Sequence, residues 1–134
     1  MCDNEYCLVP GTYCIGDPEI MLNRVVYDSF VIDSGMHIYN GCISIINETG
    51  FQEGIFKDVE STEYTITSGY IGIFPFPLCS NKSIDILSKY GKCINLFVPF
   101  FVRTSENGCF SIQTSEYQLL LDTSLENFEE MDLI

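Results

Sequence analysis

The chain of 134 residues has no tryptophan, a single histidine, and only six lysines and arginines against 19 aspartates and glutamates. The formal charge of −13 argues against ordinary binding to a phosphate backbone, which needs clustered cations to displace counterions. It equally disfavours an anionic membrane surface. No stretch reaches the roughly 18 consecutive apolar residues of a membrane-spanning helix. No two cysteines have the C-x-x-C spacing of a zinc site, so neither metal nor cofactor is expected. With one histidine, any imidazole-dependent chemistry must pass through His37.

What is present is apolar. Hydrophobic residues make up 46% of the chain, with ten Phe and eight Tyr, which excludes a disordered polar chain. A single domain of this length buries about two thirds of its unfolded surface. The opening Met-Cys-Asp-Asn-Glu is acidic and lacks the basic and apolar regions of a secretory signal, so a reducing cytosol is expected. There the seven cysteines stay as thiols. Cys14, Cys42, Cys93 and Cys109 lie in apolar runs and read as core residues. Cys2 and Cys7 read as the exposed pair, able to bridge only under oxidising conditions.

Along the chain, residues 1–10 read as a mobile lead-in, 11–121 as one globular domain and 122–134 as an acidic tail. Gly11 to Ile20 is the most informative stretch: a short strand, a glycine break, then Asp17-Pro18. Asp17 before proline is biased to the extended backbone of a helix N-cap. Pro18 then occupies the first helical position, where its missing N–H costs nothing. Met21, Leu22, Val25, Val26 and Phe30 recur at helical spacing over 18–30, although the β-branched pairs leave an extended second half open. Beyond Gly35 the texture is β. Strands are expected on either side of Gly41, then Asn47–Gly50 as a turn with Phe51–Phe56 pairing back. A half-buried strand follows at 63–67, interrupted at Gly69, and a buried one at 70–74, closed by Pro75 and Pro77. A short helix at 84–90 with Gly91 as its stop, a strand over 93–102 broken at Pro99, and a hairpin at Asn107-Gly108 complete the pattern. The fold class is α+β, mostly β: a compact antiparallel sheet, sandwich or partial barrel, with one N-terminal helix and room for a second short one.

Gly11-Thr-Tyr-Cys-Ile-Gly-Asp-Pro18 resembles a Gly-x-Tyr-x-Ile-Gly-Asp-Pro stretch in small uncharacterised proteins of phages and large DNA viruses. Ser68-Gly-Tyr-Ile-Gly-Ile-Phe-Pro75 is similar to a later element of that group, and Gly108-Cys-Phe-Ser-Ile112 is a looser third match. In that group Cys and Tyr often follow the proline, where this chain has Glu19 and Ile20. The resemblance implies a virus-encoded protein, in the host cytoplasm or the virion, and brings no activity.

Each candidate for chemistry competes with a structural role. Asp17 is better explained as a cap than as a catalytic or metal-binding carboxylate. Gly16, Asp17, Pro18, Gly69 and Gly72 therefore form a structural motif. His37 with a thiol and Asp33 or Asp17 could assemble a nucleophilic site, but such sites are defined by geometry that sequence does not give. The carboxylates at Glu48, Glu53, Asp58, Glu60 and Glu63 fit no EF-hand spacing and read as a solvated hairpin face. Gly69 and Gly72 lack the Lys-Ser/Thr of a phosphate loop. Phe76, with Phe128, Met131 and Leu133 of the tail, is the candidate partner surface. The expectation is a non-enzymatic protein-binding or assembly protein whose partner is another protein, viral or host, basic in one version, with a homo-oligomer also open. An acidic decoy imitating nucleic acid and a small Cys/His hydrolase are the alternatives.

Overall fold

Alternation of inward and outward side chains sorts the described residues into three antiparallel sheets. The computed structural model describes residues 4–30, 32–50, 52–80, 83–105, 109–114 and 117–122. Phe128, Met131, Leu133, Cys2, the acidic tail beyond Asp122 and the Asn107-Gly108 turn lie outside the described residues.

The five-stranded sheet has the order β3 (Gly35–Tyr39), β4 (Cys42–Glu48), β7 (Tyr70–Pro75), β2 (Gly11–Gly16), β8 (Lys92–Leu96). The four-stranded sheet has the order β1 (Asn4–Leu8), β9 (Phe100–Thr104), β10 (Cys109–Gln113), β11 (Gln118–Asp122). A separate hairpin pairs β5 (Gly54–Lys57) with β6 (Glu63–Ile66). The protein is mostly β, of α+β class, as the pattern of strand and helix segments along its sequence predicts.

Strand parity fixes the layers, because successive side chains point to opposite faces. Tyr13, Ile15, Ile45, Ile71 and Ile73 of the five-stranded sheet meet Phe100, Val102, Phe110 and Ile112 of the four-stranded sheet in one core. Tyr13 packs edge-on against Phe100 at 5.1 Å. The hairpin adds Phe56, Tyr64 and Ile66 to this core. The intervening residues Cys14, Ile46 and Phe74 face the other way, onto α1 (Pro18–Met21), α2 (Arg24–Ser29) and α3 (Ile84–Leu87).

Several expectations are corrected by pairing that lies far apart in sequence. The expected lead-in contains a strand: Tyr6 and Leu8 of β1 register with Val102 and Phe100. The single helix over 18–30 is two, because Leu22 leaves the helix to bridge Cys79. Asn23 then restarts it, its side chain accepting from the Val26 amide at 3.0 Å. Asn47 and Glu48 extend β4 rather than forming a turn. The Asn47 side chain reaches across the core to donate to the carbonyls of Ser105 and Cys109. The strand at 54–57 pairs forward with β6, not back. The run over 93–102 divides at Pro99 into two strands in different sheets, since proline supplies no ladder N–H. Among the thiols, Cys14 and Cys79 are buried, while Cys42, Cys93 and Cys109 are half-buried and Cys7 is exposed.

Gly16 and Gly72 are register partners on β2 and β7. A Cβ at Gly72 would lie 2.6 Å from the Phe74 ring and 2.7 Å from the Ile45 carbonyl oxygen. One at Gly16 would meet the Met21 terminal methyl at 2.5 Å. These glycines make room for the ring and for α1. Because one clash at Gly72 is with backbone, Gly72→Ala is expected to cost about 2–3 kcal/mol, measured by urea unfolding.

Candidate functional site

The Gly-Asp-Pro element and the Ser68-Gly69 turn, distant in sequence, meet in space. Asp17 is fully buried. One carboxylate oxygen accepts from the Glu19 amide at 2.7 Å, capping α1. The other accepts from the amides of Thr67 and Ser68 at 2.7 and 2.8 Å, and from the Ser68 hydroxyl at 3.0 Å. Gly69, at φ +85°, turns the chain so that its carbonyl accepts from both the amide and the hydroxyl of Thr49. Gly16, Asp17, Pro18 and Gly69 thus meet where β2, α1 and the β6–β7 turn join, and Gly72 lies beyond it on β7 as the register partner of Gly16. Glu19, Thr67 and Ser68 of this chain supply the donors to both oxygens of Asp17, so the carboxylate is engaged in architecture.

A second buried carboxylate was hidden in the acidic cluster. Asp58 accepts from the amides of Glu60 and Thr62 and from the Tyr64 hydroxyl, and ion-pairs with Lys92 at 2.8 Å. Lys92 also pairs with Glu60. Burial alone would raise the Asp58 carboxyl, but Lys92, Tyr64 and the two amides outweigh it and hold it below the usual carboxylate range. Burial and the bond to Asp58 push the Tyr64 phenol up. Elsewhere in the cluster, Glu63 pairs with Lys57, and the Glu48 amide donates to the Ser34 hydroxyl. Among the described residues no three His, Cys, Asp or Glu side chains converge as metal ligands.

His37 stacks on Phe30 at 5.1 Å, and a ring nitrogen meets the Asp33 backbone carbonyl at 2.9 Å. Asp33 thus contributes its main chain, not its carboxylate, to the histidine. The residue opposite His37 is Ser44, fully buried on the helix-covered face and without a hydrogen-bond partner for its hydroxyl among the described residues. A nucleophile needs access to substrate as well as a base, and Ser44 has none.

The open chemistry lies at one end of the sandwich. The strand registers bring the β1–β2, β3–β4 and β8–β9 loops and the 3₁₀ turn Phe76–Leu78 to the same end. No Asp, Glu, Lys or Arg occurs over 6–16, 38–47, 64–80 or 93–102, so these described loops carry no charge in a strongly charged protein. Four of the five prolines, Pro10, Pro75, Pro77 and Pro99, stand here. Phe97 is 82% and Val9 69% exposed. A cleft of about 520 Å³ opens between Leu8, Val9, Tyr13, Ile43 and Phe76. A smaller one of about 290 Å³ lies beside Phe97, Val98 and Tyr117. Phe76, expected at a strand end, lines the larger cleft. Phe97, weighed in sequence as part of an aromatic partner surface with core packing the default, is exposed; Val9 and Val98 have as their signal apolar residues beside proline inside uncharged runs.

The fold and this end define a β-sandwich with helices on one outer face and an uncharged, apolar loop surface. Comparison with protein-family models, curated proteins and solved structures finds no match. Among the described residues, no helix is long and apolar enough to cross a membrane.

Proposed function

We propose that the chain is a non-enzymatic protein-binding or assembly protein, virus-encoded as its Gly-Asp-Pro element implies, that engages another protein through the loop end of the sandwich. The observation that carries this reading is the segregation of charge. In a protein of net charge −13, the loops that carry Val9, Phe76 and Phe97 contain no Asp, Glu, Lys or Arg. Exposed apolar surface of this kind marks contact sites. Proline-set loops lose little conformational freedom on binding. The high like charge disfavours a second copy as the partner. Against the acidic-decoy alternative, Glu5, Asp28, Glu60 and Glu63 are ion-paired and Asp17 and Asp58 are used internally.

The test is partner capture from source or infected cells with wild type, Val9→Glu/Phe97→Glu and Glu48→Gln. Capture is expected to fall at least about tenfold for the loop-end variant, in line with loss of an apolar anchor. It should survive Glu48→Gln and change little between about 50 and 500 mM salt. Binding lost at high salt would favour the decoy, and self-association by light scattering the homo-oligomer. Turnover of an ester or nucleotide library that His37→Ala abolishes would overturn the non-enzymatic reading.

A further inference from the structure

Seven thiols in one chain would be unremarkable if each were packed alone. Two are not. Cys14 on β2 and Cys93 on β8 are direct register partners, and their sulfurs lie 3.1 Å apart on the helix-covered face. Directly opposed residues of an antiparallel pair have Cα atoms about 4.5–5.5 Å apart, inside the range that a disulfide spans. A bond of about 2.05 Å therefore requires the sulfurs to close by about 1 Å, with no change in strand register.

We infer that Cys14 and Cys93 form a reversible dithiol–disulfide site that takes small-molecule disulfides as oxidants, binding the edge strand β8 covalently to β2. The surroundings hold the pair in place. Gly91, just before β8, has no room for a Cβ against the Ile15 carbonyl, so the backbone of β8 is pressed onto β2 where the pair begins. Lys92, the neighbour of Cys93, is anchored by Asp58. Cys93 is half-buried and Cys14 fully buried, so the attack begins at Cys93. Its thiolate attacks one sulfur of the oxidant, forming a mixed disulfide and releasing one small thiol. The Cys14 thiol then loses its proton and attacks the Cys93 sulfur, releasing the second small thiol as the Sγ–Sγ bond forms. The protein loses two electrons and two protons, and the small disulfide gains them as two thiols. The bond to Cys14 and burial push the Cys93 thiol up, while the Ser88 hydroxyl partly opposes this. The first step therefore accelerates with rising pH.

The test is incubation of the folded, fully reduced protein with oxidised glutathione, followed by acid quenching, alkylation and peptide mapping without reduction. The expected product has a Cys14–Cys93 linked peptide, with that pair lighter by about 2 Da. Its Tm is expected to be higher by about 5 °C or more, as for closure of a long loop, and to return on reduction. Cys14→Ser should leave a persistent glutathione adduct on Cys93. Exposed Cys7 gauges the extent of oxidation. A stable glutathione adduct on wild-type Cys93, or an unreacted Cys14 once Cys7 is fully modified, overturns the inference.

Discussion

Asp17→Ala is expected to destabilise the protein by about 4 kcal/mol, because each buried donor left without its acceptor costs about 1–3 kcal/mol and the lost helix cap costs about 1 kcal/mol. The substitution would strip the amides of Glu19, Thr67 and Ser68 of their acceptor at once. Against a total of about 5–15 kcal/mol for a domain, this is a large share, and Tm should fall by roughly 15 °C. Asp17→Asn separates the two roles. The remaining oxygen can cap α1, but the new amide group then faces the Thr67 and Ser68 amides, donor against donor. A cost of about 2–3 kcal/mol is expected. Ser68→Ala removes one hydroxyl and leaves both amides bonded, so it should cost about 1 kcal/mol. Urea unfolding of the three variants ranks them. An Asp17→Ala cost under about 1 kcal/mol would mean that water replaces the carboxylate and that the junction is not what holds α1 to the β6–β7 turn.

The local half of that junction is legible in the sequence. Gly16-Asp17-Pro18 specifies strand end, cap and first helical residue from backbone preferences alone, and the cap is found at φ −73°, ψ 130°. The other half depends on Ser68, some fifty residues away, and follows only once β2 and β7 are paired. The same division recurs elsewhere. Asn40-Gly41, with φ +49° and +78°, is the two-residue turn that joins Tyr39 to its partner Cys42. Asn-Gly is as strong a hairpin signal there as at 107–108. Leu22 sits on the apolar face that periodicity assigns to one helix, but its backbone is claimed by Cys79. A tertiary bridge thereby overrides a helical pattern. Residues 4–8 look unpatterned because only Tyr6 and Leu8 face inward on an edge strand. The loop surface was half legible. Proline and uncharged composition were in plain view, whereas convergence of the loops on one end requires the strand registers.

The sequence places Asp58 on a solvated hairpin face, whereas its burial makes it the second large lever. Its side chain is fully buried and that of Lys92 is 12% exposed. Asp58→Ala leaves Lys92 and the Tyr64 hydroxyl without their buried acceptor, and breaking a buried pair from one side costs about 3–5 kcal/mol. Glu60, at 52% exposure, holds the same lysine from solvent, so Glu60→Gln should cost under about 1 kcal/mol. The pH dependence has a definite sign. The folded Asp58 carboxyl lies below its ordinary value, so its contribution is fully present above the unfolded pKa of about 3.9. It is lost as pH falls through the lower, folded value. Burial opposes the charge on Lys92, but Asp58 and Glu60 outweigh it and raise the ammonium pKa. Its contribution is therefore fully present below about 10.4 and lost as pH rises through the higher, folded value. The stability gap between wild type and Asp58→Asn, followed by urea unfolding, should accordingly be flat from about pH 5 to 9 and narrow at both extremes. A gap that narrows only in acid would remove the Lys92 charge from the effect and leave Tyr64 and the amides as the groups that hold the Asp58 carboxylate. One that is flat throughout would show that Tyr64 and the amides hold Asp58 without its charge.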